Sequence, residues 1–279
     1  MRRNAVVAGQ FYPARAAEIE AFIKSELSET GLREYRGGIV PHAGWAFSGG
    51  IALRALASLN ARPDAVFLLL GAVHTYGVER PAVFPEGAWE TPLGDMPVAH
   101  GLIRDYFDES LFLHSARVHE GEHSIEVQLP FLKYLYPRSR IIPVSVPPGI
   151  QKNLTDYVNI LEKLKEDHPE VIFIASTDLT HYGFRYGDSS LGTGAAGYEY
   201  VTRQKDPEFI KKVSRGEWKE IIPYALEHQS ACGPGGVALI CGLFRQGVIR
   251  LLEYTTSYDK MPAGGLHSFV TYGSWGLKE

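Results

Sequence analysis

Three apolar runs of the sequence are each followed by side chains that can bind a metal ion or move a proton. His42 and His74 follow the first two runs, and Asp178 and His181 follow the third. A neutral imidazole is the commonest transition-metal ligand, and two histidines with one anionic ligand leave coordination positions open for a substrate or for dioxygen. We expect the Asp178 carboxylate to hold the His181 ring in one tautomer. Each histidine alone could be a hydrogen-bonded loop residue, but three at strand ends favour one shared site.

Cys232 is a further candidate, in a glycine-rich turn before an apolar helix whose first turn contains Pro234. A helix N-terminus favours a thiolate, which is both a nucleophile and a metal ligand. Cys241 lies nine residues on and, at about 100° per residue, points to nearly the opposite face of that helix, so the two sulfurs cannot share an ion. We therefore assign Cys241 to the core as a small hydrophobe. An inert turn thiol remains the alternative for Cys232.

Residues 122–126 place two carboxylates and an imidazole at the start of another predicted helix. Glu122 suits the positive end of a helix dipole, and Glu126 falls one turn later on the same face. His123 could orient a ligand, accept a proton from a substrate or cap the helix. The glycine pair at residues 49–50 also has two possible roles. It could offer backbone amides to an anion, or it could allow tight packing.

The elements that must position these residues alternate between short apolar runs and helical patterns. Strands are predicted at 38–41, 64–71, 141–146, 171–175, 249–256 and 267–274, and helices at 48–59, 125–135, 154–165, 194–204, 207–214, 218–225 and 233–245. The last two strands read as an antiparallel hairpin. This alternation predicts a three-layer α/β/α domain with a mixed, largely parallel central sheet. The crevice of such a sheet lies beyond the carboxyl ends of its strands, where the candidate residues fall.

The composition excludes several classes of protein. The 279 residues include 28 Lys+Arg and 32 Asp+Glu, and this acidic balance disfavours a nucleic-acid binder. The longest apolar run, residues 65–73, is about half of the roughly 20 residues that cross a bilayer, so we expect no membrane association. Two cysteines and no signal-peptide pattern predict a cytoplasmic protein. No linker or repeat divides the chain, so residues 1–279 are expected to form a single domain.

One motif is rejected because of its context. Residues 192–197 fit G-x-G-x-x-G, the fingerprint of dinucleotide-binding proteins. That fingerprint must directly follow a buried strand, whereas the residues before this match are polar. We therefore expect no nicotinamide or flavin site.

Six motifs, in order and over nearly the whole chain, resemble the MEMO-like proteins, whose prokaryotic members include protein B of the AmmeMemoRadiSam system. The motifs are residues 7–13 (VAGQFYP), 41–44 (PHAG) with 48–49, 71–74 (GAVH), 122–130 (EHSIEVQLP), 176–183 (STDLTHYG) and 231–233 (ACG). The resemblance implies a fold similar to the class III extradiol dioxygenases. Those non-haem iron enzymes hold their metal with two histidines and a glutamate, and a cysteine replaces the glutamate in the MEMO-like branch.

The resemblance also assigns roles to residues of this sequence. His42, His74 and Cys232 match the metal-ligand positions, whereas Asp178 and His181 match residues that line the pocket beside them. His181 corresponds to the dioxygenase position that works as an acid and base. His123 falls in a family motif without a fixed role.

Three functions follow as hypotheses. The first is a MEMO-like metal-binding protein with a His/His/Cys site and a redox or regulatory role, holding iron or copper, with zinc as a third choice because a thiolate softens the site. The second is a non-haem Fe(II) dioxygenase-type enzyme for a small substrate, aromatic or otherwise, with His181, Asp178 and His123 as catalytic residues. The third is a metal-free cysteine hydrolase using Cys232, His181 and Asp178. The expected partners are a small-molecule substrate or a peptide, and other AmmeMemoRadiSam proteins.

Overall fold

The structure, a computed structural model, describes residues 1–27, 32–75 and 77–279. Within these residues the strands form a nine-stranded sheet and a separate three-stranded sheet. In chain order the strands are β1 (Arg2–Arg3), β2 (Gly37–Val40), β3 (Val66–Gly71), β4 (Ala82–Val83), β5 (Ala88–Trp89), β6 (Met96–Pro97), β7 (Leu113–His114), β8 (Arg140–Ser145), β9 (Val171–Ser176), β10 (His181–Gly183), β11 (Val248–Thr256) and β12 (Ser268–Lys278).

The centre of the large sheet is parallel and its outer strands are mixed. Strands β2, β9, β3 and β8 lie side by side in that order and run parallel. Beyond β8, strand β4 pairs antiparallel with it and β7 runs parallel to β4. Beyond β2, strand β12 is antiparallel and also pairs with β10 and β11. The predicted mixed, largely parallel sheet and the hairpin of its last two strands are confirmed. Strands β1, β5 and β6 form the small sheet.

Helices cover both faces of the large sheet. They are α1 (Ala16–Glu26), α2 (Trp45–Ala57), α3 (His100–Tyr106), α4 (Leu129–Leu135), α5 (Leu154–Asp167), α6 (Ala195–Tyr200), α7 (Asp206–Ser214), α8 (Trp218–His228), α9 (Pro234–Leu243) and α10 (Ser257–Lys260). Helices α1, α2 and α4 contact one another as one group, whereas α5, α8 and α9 form another, in which α9 packs on β3 and β9. The result is the predicted three-layer α/β/α fold. No helix of the described residues is long and apolar enough to cross a bilayer.

The central strands show why the sequence adopts this arrangement. Every residue of β3 (VFLLLG) and of β9 (VIFIAS) is buried, as expected for parallel strands covered by helices on both faces. Helix α9 approaches β3 closely at Gly236, where an added Cβ would lie 3.0 Å from the Leu70 carbonyl oxygen. This close packing fixes the turn that precedes α9, and that turn carries Cys232.

Three predicted helices differ in detail. Helix α2 begins at Trp45 rather than at residue 48, so Gly49 lies inside it, where an added Cβ would lie 2.8 Å from the Trp45 Cβ. The glycine pair therefore serves tight packing, and the anion-binding alternative is wrong. The predicted helix 125–135 starts as a 3-10 turn, Glu126–Gln128, before α4. The predicted helix 194–204 is α6 followed by a π-helical turn, Val201–Lys205.

Candidate metal centre

The carboxyl ends of three parallel strands bring predicted site residues to one edge of the sheet. His42 lies two residues after β2, His74 three residues after β3, and Asp178 two residues after β9. Because β2, β9 and β3 are neighbours, these residues meet where an open α/β sheet normally binds its ligand. His123 joins them from the segment before α4, and Cys232 from the turn before α9.

Three histidines form a compact group at this edge. One ring nitrogen from each of His42, His74 and His123 lies within 4.8 Å of the other two. The ring centroids of His74 and His123 are 4.8 Å apart and stacked, whereas His42 meets both rings edge-on at 5.3 and 5.4 Å. The group is therefore close enough to share one metal ion, and it includes His123, which sequence reasoning placed among the catalytic residues.

Ser176 fixes the tautomer of the His42 ring, that is, which of its two nitrogens carries the proton when the ring is neutral. The Ser176 hydroxyl donates to the Ser124 carbonyl oxygen at 2.7 Å, and its oxygen lies 3.1 Å from His42 Nδ1. A hydroxyl has one hydrogen to donate, so Ser176 Oγ must accept from Nδ1–H. When this buried ring is neutral, its proton is therefore on Nδ1, and the Nε2 lone pair is free for a metal ion.

Glu122 holds the His74 ring at the same nitrogen, Nδ1, but with a charged carboxylate instead of a hydroxyl. Its carboxylate oxygens lie 3.0 and 3.1 Å from His74 Nδ1, and one of them accepts the His74 backbone N–H at 2.9 Å. Such a carboxylate fixes the ring and increases the basicity of the free nitrogen. Burial acts to lower the pKa of His74, but the hydrogen bonds that its ring donates to Cys232 and Glu122 raise that pKa to about 10. Although burial acts against it, His74 holds the pKa of Glu122 well below its usual range.

Cys232, the third predicted ligand, lies against His42 but is not part of the group of three histidines. Its Sγ lies 3.2 Å from His42 Nε2 and accepts the Asp178 backbone N–H at 3.2 Å. Burial acts to raise the pKa of the thiol, but the His42 charge and hydrogen bonds from His42 and His74 lower that pKa to about 6. Gly233 lets this turn approach β9, since an added Cβ would lie 2.7 Å from the Ser176 carbonyl oxygen. The sulfur is therefore held as an anionic donor beside two imidazoles.

Asp178 and His181 are near the group but do not form the expected pair. Asp178 Oδ1 accepts the backbone N–H groups of His42 and Ala43 at 2.8 and 3.2 Å, and burial raises the pKa of this carboxyl. His181 Nδ1 instead donates to the Leu179 carbonyl oxygen at 3.1 Å. The prediction that Asp178 sets the His181 tautomer is wrong, because a local carbonyl does so. Asp178 holds the backbone that carries His42.

The group lies in a cavity of about 520 Å³, which is the size of a small-molecule site. The three histidines line it together with Asp178 and His181. Cys232 borders a second cavity of about 270 Å³, which shares His181 and Tyr186 as its wall with the first. Aromatic side chains form much of the remaining wall of the larger cavity: Phe11, Phe47, Tyr186, Tyr258 and Tyr272.

The family of the chain is shown by comparison with known proteins. The model of the Memo-like protein family matches residues 3–275. The chain belongs to the Memo-like family. MEMO1 family proteins of Pyrococcus furiosus, Thermococcus onnurineus and Thermotoga maritima are 38%, 35% and 32% identical to it, in each case over 93% of this chain and 94% of the relative. The resemblance found in the six motifs is thus confirmed.

Among solved structures, this Memo-like chain is similar to an uncharacterized protein from Escherichia coli K12. The TM-score is 0.51 at 12% sequence identity, and the match covers 87% of this chain and 99% of the other. At this identity the likeness shows the fold alone.

The geometry separates the predicted residues by their contacts. His42 is in hydrogen-bond contact with Cys232, and His42, His74 and His123 are close enough to share one ion, whereas His181 lines the cavity beside them. The imidazole in contact with the thiol is His42, so the hydrolase pairing of Cys232 with His181 is not the arrangement seen among the described residues. Sequence reasoning missed Ser176 and the contact of Glu122 with His74, although both residues lie in quoted family motifs.

Proposed function

We propose that this Memo-like protein binds one transition-metal ion through His42, His74 and Cys232. The supporting observation is that the Nδ1 of each histidine bonds to a fixed partner, so that each ring can offer Nε2 to an ion, and that Cys232 Sγ lies 3.2 Å from His42 Nε2. Two imidazoles and a thiolate form a soft donor set that suits iron, copper or zinc better than magnesium or calcium. The bound ion would supply Lewis-acid or redox chemistry, and we propose a redox or regulatory role, with iron or copper preferred.

The surrounding residues support this donor set by holding it in place. Ser176 and Glu122 orient the two rings, and Asp178 fixes the backbone of His42. Ligands oriented in this way need little rearrangement on binding, and loss of such partners typically costs 10- to 100-fold in metal affinity. These contacts support the proposal, because they hold the proposed donors in fixed orientations.

His123 is the alternative third donor. Its Nδ1 lies 3.7 Å from Glu122, too far for a hydrogen bond. Burial and the charges of His42 and His74 lower the pKa of His123 to about 4, so the ring is neutral near pH 7. His123 is therefore a neutral imidazole that no carboxylate orients, and this suits a base or a temporary ligand better than a permanent one.

Metal content measured on matched variants tests the proposal. The protein is purified without chelators, and metal per chain is determined for the wild type, His42→Ala, Cys232→Ser, His123→Asn and, as a control, His100→Ala on α3. We expect the first two variants to lose metal and the last two to retain it. Loss in His123→Asn with retention in Cys232→Ser would show a three-histidine site, and a wild-type protein that neither carries nor takes up metal would refute the proposal.

A dioxygenase-type activity on a small substrate is the second candidate, and His181 favours it. Its Nδ1–H is bound to Leu179, so its Nε2 can accept a proton, and it lines the same cavity as the histidine group. Protein loaded anaerobically with Fe(II) should then consume dioxygen with one of a panel of small aromatic substrates. His181→Gln should keep its metal and lose about 10²- to 10⁴-fold in turnover, the usual loss of acid-base help. No dioxygen uptake with any substrate would leave the binding role alone.

A further inference from the structure

Gln128 brings the segment before α4 into contact with the end of β2. It is the last residue of the 3-10 turn Glu126–Gln128, and it is only 1% exposed. Its side-chain Nε2 lies 2.7 Å from the Pro41 carbonyl oxygen and 3.3 Å from Ser176 Oγ. Gln128 therefore contacts the residue before His42 and also the hydroxyl that holds the His42 ring.

The chemistry of these two neighbours fixes the orientation of the Gln128 amide. A carbonyl oxygen can only accept a hydrogen bond, so the amide atom beside the Pro41 carbonyl must be the nitrogen. The NH2 group has two hydrogens, one for each acceptor. Gln128 is thus a donor to both Pro41 and Ser176.

The Pro41 carbonyl matters because it belongs to the peptide unit that leads into His42. This planar unit consists of the Pro41 carbonyl and the His42 N–H. The N–H donates to Asp178 Oδ1 at 2.8 Å, and the carbonyl accepts from Gln128 at 2.7 Å. Since the carbonyl lies just beyond β2, it has left the pairing with β9. Two side chains therefore hold this peptide unit at both ends, and with it the direction in which the His42 side chain leaves the backbone.

The contact with Ser176 limits the hydrogen bonds that this hydroxyl can form. Gln128 Nε2 has no lone pair to offer, so the Ser176 hydrogen cannot be directed at it. The hydroxyl donates to the Ser124 carbonyl oxygen at 2.7 Å, and its two lone pairs then face Gln128 Nε2 and His42 Nδ1. Gln128 thus completes the set of hydrogen bonds that keeps the proton of a neutral His42 ring on Nδ1.

The remaining atom of the amide favours a role at the site over a role in stability. Gln128 Oε1 is buried and has no hydrogen-bond partner among the described residues. An unpaired buried acceptor costs free energy, so a side chain that only stabilised the fold is not expected to leave one. The two donors of this amide are used beside His42, whereas its acceptor is left unpaired.

We infer that Gln128 is a positioning residue for His42. It holds the peptide unit before His42 together with Asp178 and completes the hydrogen bonds of Ser176, so that His42 Nε2 is directed towards Cys232 Sγ and the proposed ion. The inference rests on the proposed function, since the direction of Nε2 matters to a metal only if His42 is a ligand. The placing of the ring does not itself depend on a metal, so the two can be tested apart.

NMR of the ring nitrogens of metal-free protein tests the placing of His42 without any activity assay. At a pH where the His42 ring is neutral, the spectrum shows which of its nitrogens carries the proton, and in the wild type we expect Nδ1. Gln128→Met has nearly the same shape and no donor. It should change the His42 signals and leave those of His74, which Glu122 holds, unchanged. A wild-type His42 protonated on Nε2, or His42 signals that are the same in the variant, would overturn the inference.

Metal affinity is measured on the same proteins by competition with a metal indicator. Gln128→Met should bind the metal about 10- to 100-fold more weakly, the usual loss for a partner that orients a ligand. Gln151→Met, at an exposed glutamine in the 3-10 turn before α5, is the matched control and should equal the wild type. If Gln128→Met does not fold, Gln128→Asn gives the same comparison, because its amide is one methylene group too short to reach both acceptors.

The two measurements distinguish failure of this inference from failure of the proposed function. A wild-type protein that takes up no metal would refute the proposed function, and the NMR spectra would still decide whether Gln128 places His42. Wild-type metal affinity in a folded Gln128 variant would overturn the inference. Equal changes at the His42 and His74 rings would overturn it as well, because they would show a general disturbance of the fold.

Discussion

Two buried carboxylates four residues apart, Glu122 and Glu126, serve two different regions of the molecule. Glu126 accepts from the Arg3 guanidinium at 2.7 Å, from the Tyr12 hydroxyl at 2.8 Å and from two backbone N–H groups of the N-terminal segment. It is the anchor of that segment. Glu122 bonds to the ring and the backbone of His74, and so belongs to the candidate metal centre.

The two carboxylates differ in role because Glu126 binds an arginine and Glu122 binds a histidine. An arginine is charged at every accessible pH and has no lone pair to offer, so the Glu126 contact only stabilises the fold. A histidine has a second nitrogen, and a carboxylate on Nδ1 prepares Nε2 for a metal. The same residue type at nearly the same place therefore acts on stability in one case and on ligand binding in the other, which mutation can separate.

The largest expected effect is on the anchor. Arg3→Ala leaves Glu126 buried without its cation, and breaking a buried pair in this way typically costs about 3–5 kcal/mol. Arg2, its neighbour, forms exposed ion pairs with Glu90 and Asp95, so Arg2→Ala should hardly change stability. Urea unfolding of both variants measures this. Similar shifts of the two midpoints would contradict the role given to the Arg3 pair.

Next in size is the effect of Glu122 on metal affinity. Glu122→Gln keeps the size of the side chain but removes the charge on His74, and metal affinity should fall about 10- to 100-fold. Glu126→Gln, the matched control, should destabilise the fold without changing affinity for the metal. A competition titration with a metal indicator gives both values. Equal losses of affinity in the two variants would erase the distinction between the carboxylates.

A smaller effect is expected on the pH dependence of stability in metal-free protein. The pKa of Glu122 is lowered by folding, so its contribution is present above about pH 4.5 and is lost as the pH falls below that value. Folding also lowers the pKa of His123, from 6.5 to about 4. Between these values the unfolded chain binds a proton that the folded protein does not, so the free energy of unfolding decreases as the pH falls from 6.5 to about 4. Urea unfolding from pH 7 to 3 should show both declines in the wild type. Glu122→Gln should remove only the decline below pH 4.5. If stability below pH 4.5 fell as steeply in Glu122→Gln as in the wild type, the Glu122–His74 pair would not be its cause.

The smallest effect is expected for the neutral support of His42. Ser176→Ala removes a hydrogen bond between uncharged groups, worth about 1 kcal/mol or about fivefold in affinity. Metal affinity should therefore fall less than in Glu122→Gln. The same indicator titration compares Ser176→Ala with Glu122→Gln. Ser189→Ala, which makes the same substitution in the loop after β10, is the control. A loss equal to that of Glu122→Gln would mean that orientation, not charge, governs both supports.

The sequence predicts the central part of the fold because its strands are buried on both faces. Continuous apolar runs such as residues 64–71 and 171–175 have no other common explanation when helical patterns follow them. Strands β4 to β7 were missed, since each has two residues and no periodicity can develop over two. The helix start at Trp45 was missed as well, because glycines at 49–50 are atypical of a helix interior and are used there for packing.

The sequence predicts which candidate ligands meet at one edge of the sheet, but not the residues that hold them. His42, His74 and Cys232 follow strands or start a helix, and that position can be read from the chain. Their supports depend on contacts between distant segments: Glu122 is 48 residues from His74, and Ser176 is 134 from His42. Spacing carries no signal for such pairs.

The two cysteines of this chain have opposite reactivity, and that makes the molecule easy to observe. Cys241 is fully buried in α9, and burial raises its pKa, whereas Cys232 is partly exposed and its pKa is about 6 in metal-free protein. Thiol reagents attack the thiolate. A fluorophore or spin label added to the unmodified protein should therefore react with Cys232 rather than Cys241, and a metal ion that takes the Cys232 thiolate as a ligand should slow that labelling.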